Sequence, residues 1–230
     1  MNKIVGREFF ALRTESEGKI ENLELVDCVF DNCILASFDD IEGMPSVVDV
    51  ILRNCVDVNS YIGPCYIKNV VVDNLRTADL LIIWGAIFSG VVLKGRLGKV
   101  KINSLMEAAS YGTALQSSLD KKRDEFYRQS EWALDISKAR PLCLEIEGVP
   151  SRLIIRDPET QIVVSKEKFF SSEHCKAVAN LHEDVEFPLM EFLKSDDPEI
   201  ILAAPTGRPK KNYQKILDSF AELHLLGFAE

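Results

Sequence analysis

Histidine is nearly missing from this chain, with three in 230 residues, and the spacings that announce common chemistries are missing altogether. No GxGxxG or GxxxxGK[ST] loop is present to cradle a phosphate, no HExxH to hold zinc, and no GxSxG to carry a nucleophile. Six cysteines occur, but no CxxC pair, so their spacing fits no structural zinc site. Positive charge is in deficit: the formal net charge is −9. A general nucleic-acid-binding surface would be basic, so direct binding to nucleic acid is not expected. The charge leaves open a basic partner or a DNA-mimicking role. Long apolar runs are absent too. The longest, Leu80–Leu93, has 14 residues, short of the roughly 20 that a spanning helix needs. No membrane association is expected. Residues Met1–Glu8 hold no signal-peptide apolar region, and the cysteines are not dense enough for a disulfide scaffold. The expectation is a cytoplasmic protein with reduced thiols, no metal and no cofactor.

What the chain does have is a five-residue beat. Asn22-Leu23, Asp27-Cys28 and Asn32-Cys33 are spaced by five, and Ser37-Phe38 keeps the step. A turn-like insert, Asp39–Pro45, shifts the register. The beat resumes at Asp49-Val50, Asn54-Cys55, Asn59-Ser60, Pro64-Cys65, Asn69-Val70, Asn74-Leu75 and Asp79-Leu80. Nine of these eleven leading positions are Asn or Asp. These residues tolerate left-handed backbone and hydrogen-bond their own main chain, which is what a tight corner needs. After Leu80 the corner series passes to Gly85, Gly90 and Gly95 at the same step. A second apolar series runs two residues behind each pair, through Leu25, Phe30, Leu52, Ile67, Val72, Ile87, Leu97 and Ile102. Short repeats in register stack into a coil around a continuous apolar column. Cys28, Cys33, Cys55 and Cys65 fall on the inward positions, where a thiol acts as a small hydrophobe.

This beat resembles that of the pentapeptide-repeat proteins, in degenerate form and over the first half of the chain. The resemblance implies a right-handed parallel β-helix of about four coils, each of about twenty residues. Some members of that family mimic DNA against topoisomerases, which brings an inhibitor or immunity-type role into view. One departure stands out. The position before the Asn/Asp is usually small in the family. Here it holds Glu21, Val26, Asp31, Ala36, Arg53, Lys68 and Asp73. Charge cannot sit unpaired in a narrow tube, so either the tube is irregular or another pair of positions faces inward.

The expected fold is therefore mainly β plus α+β: residues 1–104 as a β-helix-like solenoid, residues 105–230 as a small α+β domain. The first 19 residues are expected to cap the open end of the column. Ser104 and Glu107 have capping-box spacing, which predicts a helix running to about Gln129 with Gly112 as a potential break. The charged run Lys121–Glu125 reads as a solvated face. Alternation over Trp132–Ile136 and Leu142–Ile146 predicts strands. Leu153–Ile155 and Ile162–Val164 flank the turn sequence Asp157–Thr160 and predict a hairpin. Short helices are expected over Glu173–Leu181 and from Phe187-Pro188 to Asp197, then a strand at Ile200–Leu202. Tyr213, Ile216, Leu217, Phe220, Leu223 and Leu226 make one helical stripe closed by Gly227. The C-terminal half resembles bacterial proteins of unknown role, and that likeness carries no activity with it.

Candidate chemistry is sparse. His174, Cys175 and His182 lie close in sequence, but adjacent residues on a helix point apart, so no catalytic pair follows. The loop Pro205–Lys211 joins a strand to a helix. Arg208, Lys210 and Lys211 in it are the candidate binding residues, for an anion or an acidic partner. Three functions follow: a non-catalytic protein-interaction or scaffolding module, an inhibitor, or an enzyme working through its C-terminal half. A protein partner is expected under the first, and a homodimer through an uncapped solenoid end is compatible with all three.

Overall fold

A computed structural model describes residues 1–14, 17–36, 41–106, 113–170 and 181–230. The first ten strands are β1 (Asn2–Val5), β2 (Glu8–Phe10), β3 (Lys19–Val26), β4 (Val29–Asp31), β5 (Ile34–Leu35), β6 (Ser46–Val58), β7 (Tyr61–Ile62), β8 (Tyr66–Trp84), β9 (Ile87–Ser89) and β10 (Val91–Asn103). Helix α1 (Thr113–Arg128) follows, then β11 (Leu134–Asp135), β12 (Ala139–Glu147), β13 (Ile154–Ile155), β14 (Gln161–Ser165), α2 (Lys166–Phe170), α3 (Glu183–Lys194), β15 (Glu199–Ala203) and α4 (Lys210–Leu225). All strands belong to one open sheet whose main path is β1-β3-β6-β8-β10-β12-β15-β14. Pairing is parallel from β1 to β12 and antiparallel for β12–β15 and β15–β14. The chain is thus a large, mostly parallel sheet with a few helices, and the sheet continues across residue 104 from β10 into β12.

The beat governs the register. Ser46 faces Tyr66 and Val50 faces Val70, twenty residues on. Between β3 and β6 the offset is twenty-seven, because the seven-residue insert intervenes. Most corners are where the beat put them, though Pro64 and Asp79 do not take left-handed backbone. Asn22, Asp27, Asn32, Asp49, Asn54, Asn59, Asn69 and Asn74 all have φ between +51° and +59°, and Gly85, Gly90 and Gly95 continue the series. Stacked corners hold each other: Asn69 Nδ2 donates to Asp49 Oδ1 at 3.0 Å, and Asn74 Nδ2 to Asn54 Oδ1 at 3.1 Å. A β-branched residue tolerates this conformation worst. Asn54→Val is therefore expected to lower stability by about 1–2 kcal/mol, whereas Asn54→Gly should cost only the lost Asn ladder bond. Urea unfolding of the two variants side by side checks this.

Both apolar series face inward. Cys28, Cys55, Cys65, Leu25, Val50, Val70, Val72, Ile87, Leu97 and Ile102 are buried in one core that extends into α1, β12 and β15. The charged residues before the corners face outward and pair along the surface. Lys3, Glu24, Arg53, Asp73 and Lys94 form a chain of ion pairs at 3.1–3.5 Å across β1, β3, β6, β8 and β10. Arg53 and Asp73, two of the charges in that slot, are thus paired at the surface, whereas Ala36 in the same slot is buried. A second core lies between β14, β15, α3 and α4, centred on Phe192, Ile216 and Phe228.

Several expectations change. The first residues do not cap the column. With corners at Gly6 (φ +62°) and Ala11 (φ +52°), β1 and β2 form one more row paired to β3 and β4. Ser104 does not start a helix: its hydroxyl donates to buried Asp197 at 2.6 Å, and α1 starts at Thr113. Glu107 and Gly112 lie outside the described residues, as do Ser37–Asp40 and His174–Cys175 of the Glu173–Leu181 helix. The run Lys121–Glu125 is only partly solvated. Lys122 donates to Ile41 O at 3.0 Å, and Arg123 to Ser104 O at 2.8 Å, tying α1 to the sheet. The Asp157–Thr160 turn forms, but no hairpin does. β13 pairs with β11, and β14 pairs with β15, because the wholly buried Ile162–Val164 finds its match in the wholly buried Ile200–Leu202. Helix α3 begins at Glu183, five residues before the expected proline start. His182 is its N-cap, with Nδ1 accepting from Asp184 N at 3.2 Å, which moves Pro188 inside the helix.

Candidate functional site

The parallel strands place three arginines side by side. Arg96 of β10 stands opposite Arg140 of β12 in the register. Arg76, near the end of β8's pairing with β6, stands opposite Val56, which in turn stands opposite Val29 of β4. A register shift between β8 and β10 at Lys94–Lys99 brings Arg76 and Arg96 onto the same rim. There, Arg96 N donates to Asn74 Oδ1 at 2.8 Å. All three side chains are exposed.

They line a groove of about 580 Å³ floored by Leu75, Leu97 and Gly98 and flanked by exposed Leu142. A second hollow of about 500 Å³ shares Arg76 and Arg96 and runs on to Asn54 and Asp27. A third, of about 310 Å³, continues past Arg140 to Lys138 and Thr206. Among the described residues, none of the three guanidiniums has an ion-pair or hydrogen-bond partner. The contrast with Arg53 is plain, since that residue is bound to both Glu24 and Asp73.

The basic loop found in the sequence arrives at the same groove. Thr206 N donates to Pro141 O at 2.6 Å and Thr206 Oγ1 to Arg140 O at 3.1 Å, which pins the loop beside the end arginine. Gly207 lines the groove. Arg208 itself turns to the other side and binds Asp184 Oδ1 at 2.5 Å. Lys210 and Lys211 are exposed in the first turn of α4, whose N-cap, Pro209, supplies no side-chain bond. The structure thus brings the loop to the site but turns Arg208 away from it.

The groove presents groups suited to carboxylates. The guanidinium fork matches a carboxylate bidentately. Two thiols outside the groove are muted. Burial pushes the Cys65 thiol up to about 12, and burial together with the nearby Glu145 carboxylate does the same to Cys143. A thiol so raised is a poor nucleophile. His182 is spent on capping α3, and His224 is exposed near the end of α4. Among the described residues, no three His, Cys, Asp or Glu side chains group as metal ligands, and no helix is long and apolar enough to cross a membrane.

Sequence reasoning missed Arg76, Arg96 and Arg140. A weak signal existed: Arg76 and Arg96 are twenty residues apart, four beats, which is the offset between β6 and β8. Arg140 gave none, because it lies in a strand whose place beside β10 follows from no repeat. No protein-family model, no curated protein and no solved structure matches the chain.

Proposed function

We propose that the chain is a non-catalytic protein-interaction module that docks an acidic segment of a partner protein along the Arg76–Arg96–Arg140 row. One observation carries this reading: three guanidiniums on adjacent strands with no ion-pair partner among the described residues. Strands lie about 4.8 Å apart, and like charges placed opposite one another destabilise a sheet. An incoming row of carboxylates turns that cost into a gain. Exposed Leu142 beside the row adds an apolar contact, which favours a peptide over a bare anion. The net charge of −9 works against a polynucleotide as occupant.

On this reading the parallel sheet winds as a right-handed, pentapeptide-like β-helix. The twenty-residue register and the left-handed corners at every fifth residue support that winding. Residues 1–104 supply the platform, and residues 105–230 supply Arg140 and the Thr206 loop. An inhibitor offering a negative stripe has less support, since the ion-paired row from Lys3 to Lys94 alternates in sign.

Fluorescence anisotropy with a labelled peptide of alternating Glu and Leu tests the proposal. Binding is expected to weaken as salt rises. It should also fall by at least about tenfold, or about 1.4 kcal/mol, when Arg76, Arg96 and Arg140 are all changed to Glu. Equal binding by the triple variant, or tighter binding of duplex DNA than of the peptide, would falsify the reading.

A further inference from the structure

The main path of the sheet ends in two strands, β1 and β14, and the chain treats them differently. The outer side of β14 is covered by the last residues. Val163 N donates to Glu230 O at 3.0 Å, Glu230 N returns the bond to Val163 O at 2.9 Å, and Ser165 N donates to Phe228 O at 3.2 Å. Phe228 and Ala229 are buried there. The outer side of β1 is different. β1 pairs only with β3, and β2 only with β4, so among the described residues no strand lies beyond them. Among the described residues, the outer side of each strand therefore keeps N–H and C=O groups with no strand partner, a template for another strand.

Apolar surface gathers at the same place. Met1, Val5, Phe10 and Leu12 are 65, 59, 65 and 55 % exposed. These four are a third of the large hydrophobics exposed among the described residues, and all fall within the first twelve of 230 residues. Just inside the edge, Phe9 stacks on Phe30 of the next row with ring centroids 5.4 Å apart and planes 8° from parallel. The side-chain column is thus well formed up to its last row and then stops.

We propose that this edge is the interface of a two-fold dimer, in which β1 and β2 of one copy pair with β1 and β2 of a second copy. The occupant follows from the asymmetry of the two edges. Head-to-tail stacking along the main path would need the outer side of β14, which the chain's own last residues already occupy, and this leaves only the two-residue edge of β13. Contact by the same edge on both copies is isologous and closes at two. The rim also suits its own copy in charge. Arg7, held over the Phe9 ring at 5.0 Å, and Glu8 are neighbours of opposite sign, so a two-fold-related rim offers each an opposite.

Light scattering after size exclusion, across micromolar concentrations, is expected to show a species of twice the 25.8 kDa chain mass. The double variant Val5→Lys/Phe10→Lys changes only exposed side chains. It is expected to run at 25.8 kDa with an unchanged circular dichroism spectrum, while Leu225→Lys, at an equally exposed position elsewhere, stays dimeric. Hydrogen exchange on the unaltered chain supplies a second reading: amides of Asn2–Phe10 should become more protected as concentration rises. A chain of 25.8 kDa at every concentration overturns the proposal. So does a dimer that survives the double variant, or a mass that climbs without limit through head-to-tail stacking.

Discussion

Replacing Lys101 by Met is expected to lower stability by about 3–5 kcal/mol at neutral pH. Lys101 on β10 stands opposite Glu145 on β12, and its ammonium lies 3.1 Å from Glu145 Oε2 and 3.1 Å from Glu147 Oε1. The three side chains are only 17, 15 and 4 % exposed. Taken singly, each charge is costly to bury; together they satisfy one another. The Met variant keeps the volume but strands two carboxylates close to Asp197, whose own carboxyl is pushed up chiefly by burial and further by Glu147.

The dependence on pH follows from the direction of each shift. Burial alone would pull the Lys101 ammonium down, but Glu145 and Glu147 outweigh it and raise it above its ordinary value. A raised lysine stabilises the fold fully below its unfolded pKa of about 10.4 and loses that contribution as pH rises through the higher folded value. Urea unfolding of the parent from neutral to strongly alkaline pH reads this loss. Adding Glu145→Gln and Glu147→Gln to the Met variant should recover most of the loss. A Met variant as stable as the parent at pH 7 would show that the triad contributes nothing.

Gly98→Val is the second large effect. The residue sits on β10 where that strand passes β8. A Cβ built there would lie 2.3 Å from Thr77 Oγ1 and 2.6 Å from Thr77 N. The hydroxyl could swing away, but the main-chain nitrogen cannot, because β8 is held by β6 on one side and β10 on the other. The rotor is itself engaged, since Lys99 N donates to Thr77 Oγ1 at 2.9 Å. Glycine marks a close backbone approach at this point. Valine is expected to cost about 3 kcal/mol or more, a fall in midpoint of about 6–12 °C for a chain of this size. Thr77 and Gly98 also line the arginine groove, so any valine protein that folds should bind the acidic peptide more weakly as well. Thermal unfolding decides the matter. A midpoint within a degree or two of the parent means the two strands can part cheaply. Adding Thr77→Ala should help only slightly, because the main-chain contact remains.

The corners show what could be read from the sequence. Left-handed backbone is a demand on single residues, and Asn, Asp and Gly answer it locally, so a spacing of five in the sequence becomes a spacing of five in the sheet. The inward columns follow from the same beat, as does the offset of twenty between β6 and β8. The stripe of α4 was equally plain: Ile216, Phe220 and Leu223 are buried, and Gly227 takes φ +75° just past the helix. These features depend on neighbours a few residues away or on a repeat that copies one environment many times.

Choices made between distant segments were not legible. Ser104 has the spacing of a helix cap, yet it binds a carboxylate 93 residues away. Ile162–Val164 lies a turn away from Ile154–Ile155, but pairs with a strand nearly forty residues further on, because burial on both faces is available only there. Arg140 joins Arg76 and Arg96 only because β12 adds to the sheet beside β10. The sequence by itself determined where the chain turns and which side chains face inward, since backbone preference and hydrophobicity belong to each residue. The tertiary structure alone decided which strands meet, which charges find partners, and which arginines are left without one, since pairing depends on what the rest of the chain leaves free.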